Sequence, residues 1–159
     1  MKYAAVAIVA LNSPYADEPI DFPIYMITAA LGFAALENVL FLLNPAALAD
    51  TVISLLTGNL RFLGATLLHA MSSATIGIAI GLSFYRGWFL KKIYLIWGIV
   101  GAIALHSIFN FFIIRGGGEN FFRVFGLLWV VTVIVLLFFE KLKRMGEHLY
   151  ETKAASVAK

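Results

Sequence analysis

Long blocks of apolar residues constrain this chain more than any other feature. A helix rises about 1.5 Å per residue, so about 20 apolar residues cross the roughly 30 Å hydrocarbon core of a bilayer. Phe22–Leu43, Phe62–Tyr85 and Ile93–Ile114 meet that length plainly. Phe121–Phe139 meets it once Arg123 snorkels to the interface. Composition agrees: 62% of the 159 residues are hydrophobic and 13% charged, against about 45–50% and about 25% in a soluble domain. The expectation is an all-α, polytopic transmembrane helix bundle of about four full spans plus a partial N-terminal helix. Residues 1–145 read as one transmembrane domain, and residues 146–159 as a polar tail that frays.

The N-terminal block Tyr3–Leu11 is too short to span. Two readings stand open. Lys2, the short apolar run and the small residues up to Ala16 have the form of a signal peptide. The same residues also fit the tail of a spanning helix that begins before Met1.

The connections differ in character. Ser13–Asp21 is acidic and carries Pro14 and Pro19. Asn44–Arg61 is longer, and within it Asp50 and Thr51 are placed to cap a short amphipathic helix through Leu56. Arg86–Lys92 reads as a tight basic turn, and Arg115–Asn120, with three consecutive glycines, as a flexible hairpin.

The net charge of +3 is no nucleic-acid signal, because the basic residues sit at the ends of apolar blocks, where they set orientation. One face holds Arg86, Lys91, Lys92, Lys141, Lys143 and Arg144; the other holds Lys2, Arg61, Arg115 and Arg123. The first face is the expected cytoplasmic one, which puts the C-terminus inside. Cysteine is absent, which removes a disulfide framework and a thiol nucleophile.

Polar residues inside the spans carry the functional argument. Glu37 and Asn38 lie in the first block, His69 in the second, His106 and Asn110 in the third. An ionisable side chain in lipid costs several kcal/mol unless it is paired or hydrated, so each is a functional candidate. Glu37 lies six residues before Leu43, His69 seven after Phe62, and His106 eight before Ile114. All three therefore fall about 9–12 Å below the same, less basic face. Since the helices alternate in direction, that agreement is not automatic. Asn110 stacks on the His106 face one turn nearer the surface.

Plainer readings stand beside this one. His and Asn also join membrane helices by hydrogen bonds alone. Asn38 points about 100° away from Glu37 and fits a bracing role. Ser72, Ser73 and Thr75 fit bonding to their own helix or close packing. Gly77 and Gly81 form G-x-x-x-G, a close-packing face, and Gly98, Gly101 and Ala102 fit the same use. The aromatic residues around Phe109 to Phe112 are expected mostly to face lipid or the interface.

Two imidazoles and one carboxylate are the ligand set of many catalytic zinc sites, with a position left for water. The same groups also suffice for hydrolysis without metal, the carboxylate activating water while His and Asn hold an oxyanion. Zinc or another divalent cation is thus one expected cofactor, with Glu37, His69 and His106 as ligands. A proton-coupled transporter is a competing class. Against it, the polar residues form one layer rather than a path across the bilayer. A non-catalytic membrane protein of the same fold, an immunity or binding partner, is a further alternative.

The motifs themselves resemble a known family. Gly32-Phe33-Ala34-Ala35-Leu36-Glu37-Asn38 looks like the G-F-A-x-x-E-N motif of PrsW-type intramembrane proteases. His69 with Gly77 resembles their H-x7-G motif, and His106 with Asn110 their H-x-x-x-N motif. Asp17-Glu18-Pro19-Ile20-Asp21 is similar to the acidic loop before the first of these. The resemblance runs from about Lys2 to Phe139; each motif alone is weak, but the three in order on successive spans are fairly specific. The wider group includes CAAX prenyl proteases and bacteriocin-immunity relatives.

The resemblance implies an intramembrane endopeptidase of metallo- or glutamate-dependent type in the plasma membrane of a prokaryote. Its substrate would be a single-span membrane protein such as an anti-sigma factor, cut near the outer face in site-1 fashion. Catalytic roles then fall on Glu37, His69, His106 and Asn110, with Asn38 in support. The family's earlier motif, E-E-x-x-K, aligns its lysine with Lys2, so its glutamate pair is expected before Met1. That alignment favours the helix reading of Tyr3–Leu11 over the signal peptide, and makes Glu37 a supporting ligand or orienting group.

Overall fold

A computed structural model of the chain describes the backbone of residues 3, 6–7, 13–43, 53–116 and 121–157. Side chains are described for residues 3, 6–7, 13–43, 62–112, 123 and 125–147. Four helices follow in order: α1 (Asp21–Leu42), α2 (Ile53–Leu82), α3 (Trp88–Gly116) and α4 (Phe121–Val157). Among the described residues there is no strand. Each helix holds a stretch long and apolar enough to cross a membrane: Asp21–Leu42, Phe62–Leu82, Trp88–Phe112 and Phe125–Glu147. These match the four expected spans, except that the third begins five residues earlier than expected and the fourth ends eight residues later. Of the N-terminal block, Tyr3, Val6 and Ala7 are helical, and the rest lies outside the described residues.

The second helix differs from expectation at its start. Ile53–Leu56 does not form a separate short helix; it is the beginning of α2, which runs unbroken to Leu82. No proline interrupts residues 53–82, and Gly58 alone costs about 1 kcal/mol, too little to stop a helix that packing stabilises downstream. The proposed caps Asp50 and Thr51 lie outside the described residues. Likewise α3 already begins at Trp88, inside the basic turn, and extends to Gly116. The last helix continues to Val157, past residue 145.

In this bundle α2 is the central element. Of its spanning stretch 56% is buried, against 17% for each of the other three. The α1, α3 and α4 helices all pack on α2, while α3 and α4 hardly meet. Outward faces are strongly apolar: Leu36, Leu42, Trp97, Ile103, Trp129 and Leu137 are all more than half exposed. A soluble protein rarely exposes contiguous apolar surface on this scale, whereas lipid solvates it.

Small residues decide how closely the helices approach. A Cβ on Gly77 would lie 2.4 Å from Pro23 Cα, and one on Gly81 2.4 Å from the Pro19 carbonyl oxygen. The G-x-x-x-G face of α2 thus receives the start of α1 and the loop before it. A Cβ on Gly98 of α3 would lie 2.7 Å from Ala79 Cβ, and one on Gly101 3.3 Å from Thr75 Cγ2. Proline is tolerated in the first turn of α1, whose leading amides have no intrahelical acceptor. The preceding loop is held by the Glu18 N–H, which donates to Asp21 Oδ2 at 2.8 Å, and by Tyr25 OH, which donates to the Tyr15 carbonyl at 2.9 Å.

Packing corrects one aromatic expectation. Phe109 does not face lipid: it is 3% exposed and packs with Leu68 and Leu128. A Cβ on Gly64 would lie 3.2 Å from the Phe109 ring, so the missing side chain on α2 makes room for it. Phe111 and Phe112 are exposed, as expected.

Candidate active site

The Gly77–Pro23 contact sets the register between two antiparallel helices. Glu37 lies 14 residues beyond Pro23, and His69 eight residues before Gly77. With parallel axes their Cα atoms would differ in level by about 9 Å. A helical Cα–Cβ bond tilts toward the N-terminus of its own helix. In antiparallel partners Glu37 and His69 therefore lean toward each other, and the long glutamate side chain closes the gap. Glu37 Oε2 and His69 Nε2 meet at 2.7 Å. Which of the two donates depends on the His69 tautomer: a ring protonated on Nε2 donates to the carboxylate oxygen.

His106 of α3 completes the grouping from the other side. Its ring centroid lies 5.4 Å from that of His69, with the planes inclined at 36°. The layer expected from depth arithmetic is therefore a real cluster of three side chains on three helices. The sides of this cluster differ in exposure. The His69 side chain is 8% exposed, while that of Glu37 is 49% exposed. One side of the pair is thus sealed in the bundle, while the Glu37 side is partly open at the surface.

Asn38 and Asn110 are placed differently. Asn38 Nδ2 donates to Thr66 Oγ1 of α2 at 3.3 Å, which ties α1 to α2 just beside the Glu37–His69 contact. Asn110 lies one turn beyond His106 and is exposed.

Two supporting residues escaped the sequence reading. Phe33 packs edge-on against His69, with centroids 5.4 Å apart and planes at 79°. Thr66 receives Asn38. Helical spacing held a signal for both: Phe33 is four residues before Glu37, and Thr66 three before His69. Further along α2, Thr75 Oγ1 donates to the Met71 carbonyl at 2.9 Å, and Ser73 is buried. Ser72 Oγ is buried without a hydrogen-bond partner among the described residues.

The donor types fit a divalent transition metal, two imidazoles and a carboxylate being a common zinc set. The side chains as they stand form a hydrogen-bonded pair with the second imidazole alongside. Among the described residues no group of three His, Asp or Glu is already arranged to hold a metal ion. Convergence of all three on one ion requires Glu37 and His69 to exchange their mutual hydrogen bond for the metal.

Comparison with known proteins adds one finding. The family model described as PrsW family intramembrane metalloprotease matches residues 1–138. Neither the curated proteins nor the solved structures contain a match to the chain.

Proposed function

Since the chain belongs to the PrsW family of intramembrane metalloproteases, we propose that it hydrolyses a peptide bond of a membrane-bound protein at the Glu37–His69–His106 cluster. The observation that carries this reading is the 2.7 Å contact between Glu37 and His69, with His106 beside it, inside apolar spans. Ionisable groups are costly within apolar spans, and three of them gathered on three helices support a chemical role beyond joining the helices.

Glu37, His69 and His106 would hold the metal that the family description implies. There it would polarise the scissile carbonyl and make bound water more acidic. Where Glu37 does not ligate, its partly exposed carboxylate, held by His69, would accept a proton from water or orient the group that does. His106 lies where it can steady charge that develops on the carbonyl oxygen. Asn110, one turn outward on the same helix, orients the scissile carbonyl. Asn38 holds α1 against α2 through Thr66, so it positions Glu37 rather than touching substrate.

The substrate is a single-span membrane protein, of which an anti-sigma factor is the expected kind. It approaches the partly open Glu37 side of the pair and is cut near the less basic, outer face, with the C-terminus of the enzyme in the cytoplasm. The plasma membrane of a prokaryote is the setting. Co-expression with a doubly tagged single-span substrate tests the proposal. A cleaved product is expected, and it falls by about 10²-fold or more in His69→Ala and in His106→Ala. Undiminished cleavage in both variants would remove these residues from the reaction.

A further inference from the structure

A second site lies at the opposite, basic end of the bundle. There a cavity of about 330 Å³ opens between the end of α2, the first turns of α3 and the segment before α1. That volume is within the range of small-ligand sites, about 300–1,000 Å³. Its lining has two halves. Lys91 and Lys92 enter from the start of α3 and Tyr3 from the N-terminal segment, while Phe22, Ile80 and Leu95 form an apolar wall. Among the described residues no carboxylate lines it.

The lysines are held in place without being neutralised. Lys91 Nζ lies 5.7 Å from the centre of the Phe84 ring, and Lys92 Nζ 4.4 Å from that of Trp88. Among the described residues neither forms an ion pair. Of the nearby acids, Asp21 accepts the Glu18 N–H at 2.8 Å, and Glu18 Oε2 lies 3.9 Å from where a Cβ on Gly146 would sit. The positive end of the α3 dipole adds to the same field. Tyr85, Trp88 and Phe89 are exposed around the turn, the aromatic composition of a headgroup level.

Two unpaired cations above an apolar wall, at headgroup depth, suit an amphiphile with an anionic phosphate. The geometry points to this cavity as a binding site for one anionic phospholipid. Its phosphate sits between Lys91 and Lys92, and the first part of an acyl chain lies along Phe22, Ile80 and Leu95. The inference stands on the membrane-spanning fold and is independent of the protease reading.

The test uses the full chain carrying Trp97→Phe and Trp129→Phe, which leaves Trp88 as the reporter beside Lys92. It is reconstituted in phosphatidylcholine bilayers, and Trp88 quenching is compared for brominated phosphatidylglycerol and brominated phosphatidylcholine. Phosphatidylglycerol is expected to quench at a lower mole fraction, by about fivefold for each lysine engaged. That preference disappears in Lys91→Gln/Lys92→Gln. It also disappears in Ala16→Phe, which fills the cavity and leaves both charges. Equal quenching by the two lipids overturns the site. So does a preference that survives Ala16→Phe, which would mean diffuse attraction to surface lysines. Displacement of the quencher by inorganic phosphate at constant ionic strength would assign the pocket to the free anion and overturn the lipid.

Discussion

Replacing Gly77 by alanine adds one methyl group at the point where α1 meets α2. That Cβ would lie 2.4 Å from Pro23 Cα, 2.7 Å from Pro23 N and 2.8 Å from the Phe22 carbonyl oxygen. Carbon atoms rest at about 3.5–4.0 Å, so Pro23 must retreat by about 1 Å or more. The obstructing atoms are backbone, in a buried first turn, and cannot swing away as a side-chain tip would. Overpacking of this kind costs about 1–3 kcal/mol. Its second consequence is functional. The Gly77–Pro23 contact sets the register that brings Glu37 to His69 at 2.7 Å. A displacement of about 1 Å carried up α1 takes that pair past the usual hydrogen-bond limit of about 3.2 Å. Misplacement of a catalytic group by that much costs about 10²-fold in rate. Reversible unfolding in mixed micelles and cleavage of the tagged substrate measure the two effects. Gly126→Ala is the control, because among the described residues nothing lies within 4 Å of a Cβ at Gly126. If Gly77→Ala matched the parent in both stability and cleavage, the close approach of α1 to α2 would not govern the site.

Other expectations follow from single contacts. Asn38→Ala and Thr66→Val should each slow cleavage by no more than about tenfold, and the double variant should be no worse than either single one; additive losses in the cycle would mean that Asn38 acts on something other than Thr66. Ser72→Ala removes a buried hydroxyl that has no partner among the described residues, so stability should hold or rise by up to about 1 kcal/mol, and a clear loss on unfolding would show that the hydroxyl is bonded in the native protein. Phe109→Ala should destabilise by less than the about 3–5 kcal/mol seen in soluble cores, because separated helices already sit in apolar solvent and only packing is lost; a loss of the full soluble size would contradict that.

How much of the site could be read in advance differs from residue to residue. Glu37, His69 and His106 were legible because charge and hydrogen-bonding capacity in a span are costly, and cost marks position. Counting residues from the ends of blocks gave a common layer because helical rise is constant. Gly77 and Gly81 were legible as a close-packing pair, but not as the seat of Pro19 and Pro23. Phe33, Thr66 and Phe109 were not recognised as partners. Each is an ordinary residue of an apolar helix, and its role depends on which neighbour it faces.

Length and apolarity alone determined that this chain forms spanning helices, and the rarity of polar residues within them marked the site. The tertiary structure alone decided that α2 lies at the centre, that Phe109 turns inward, and that Glu37 reaches His69 rather than lipid. The reason is the solvent. In water a helix betrays its buried face by its apolar stripe, but in a bilayer lipid and protein interior are equally apolar and that contrast vanishes. What remains to choose the faces is contact itself: a missing side chain at Gly77 that admits Pro23, another at Gly64 that makes room for Phe109, and two side chains on antiparallel helices that lean toward each other.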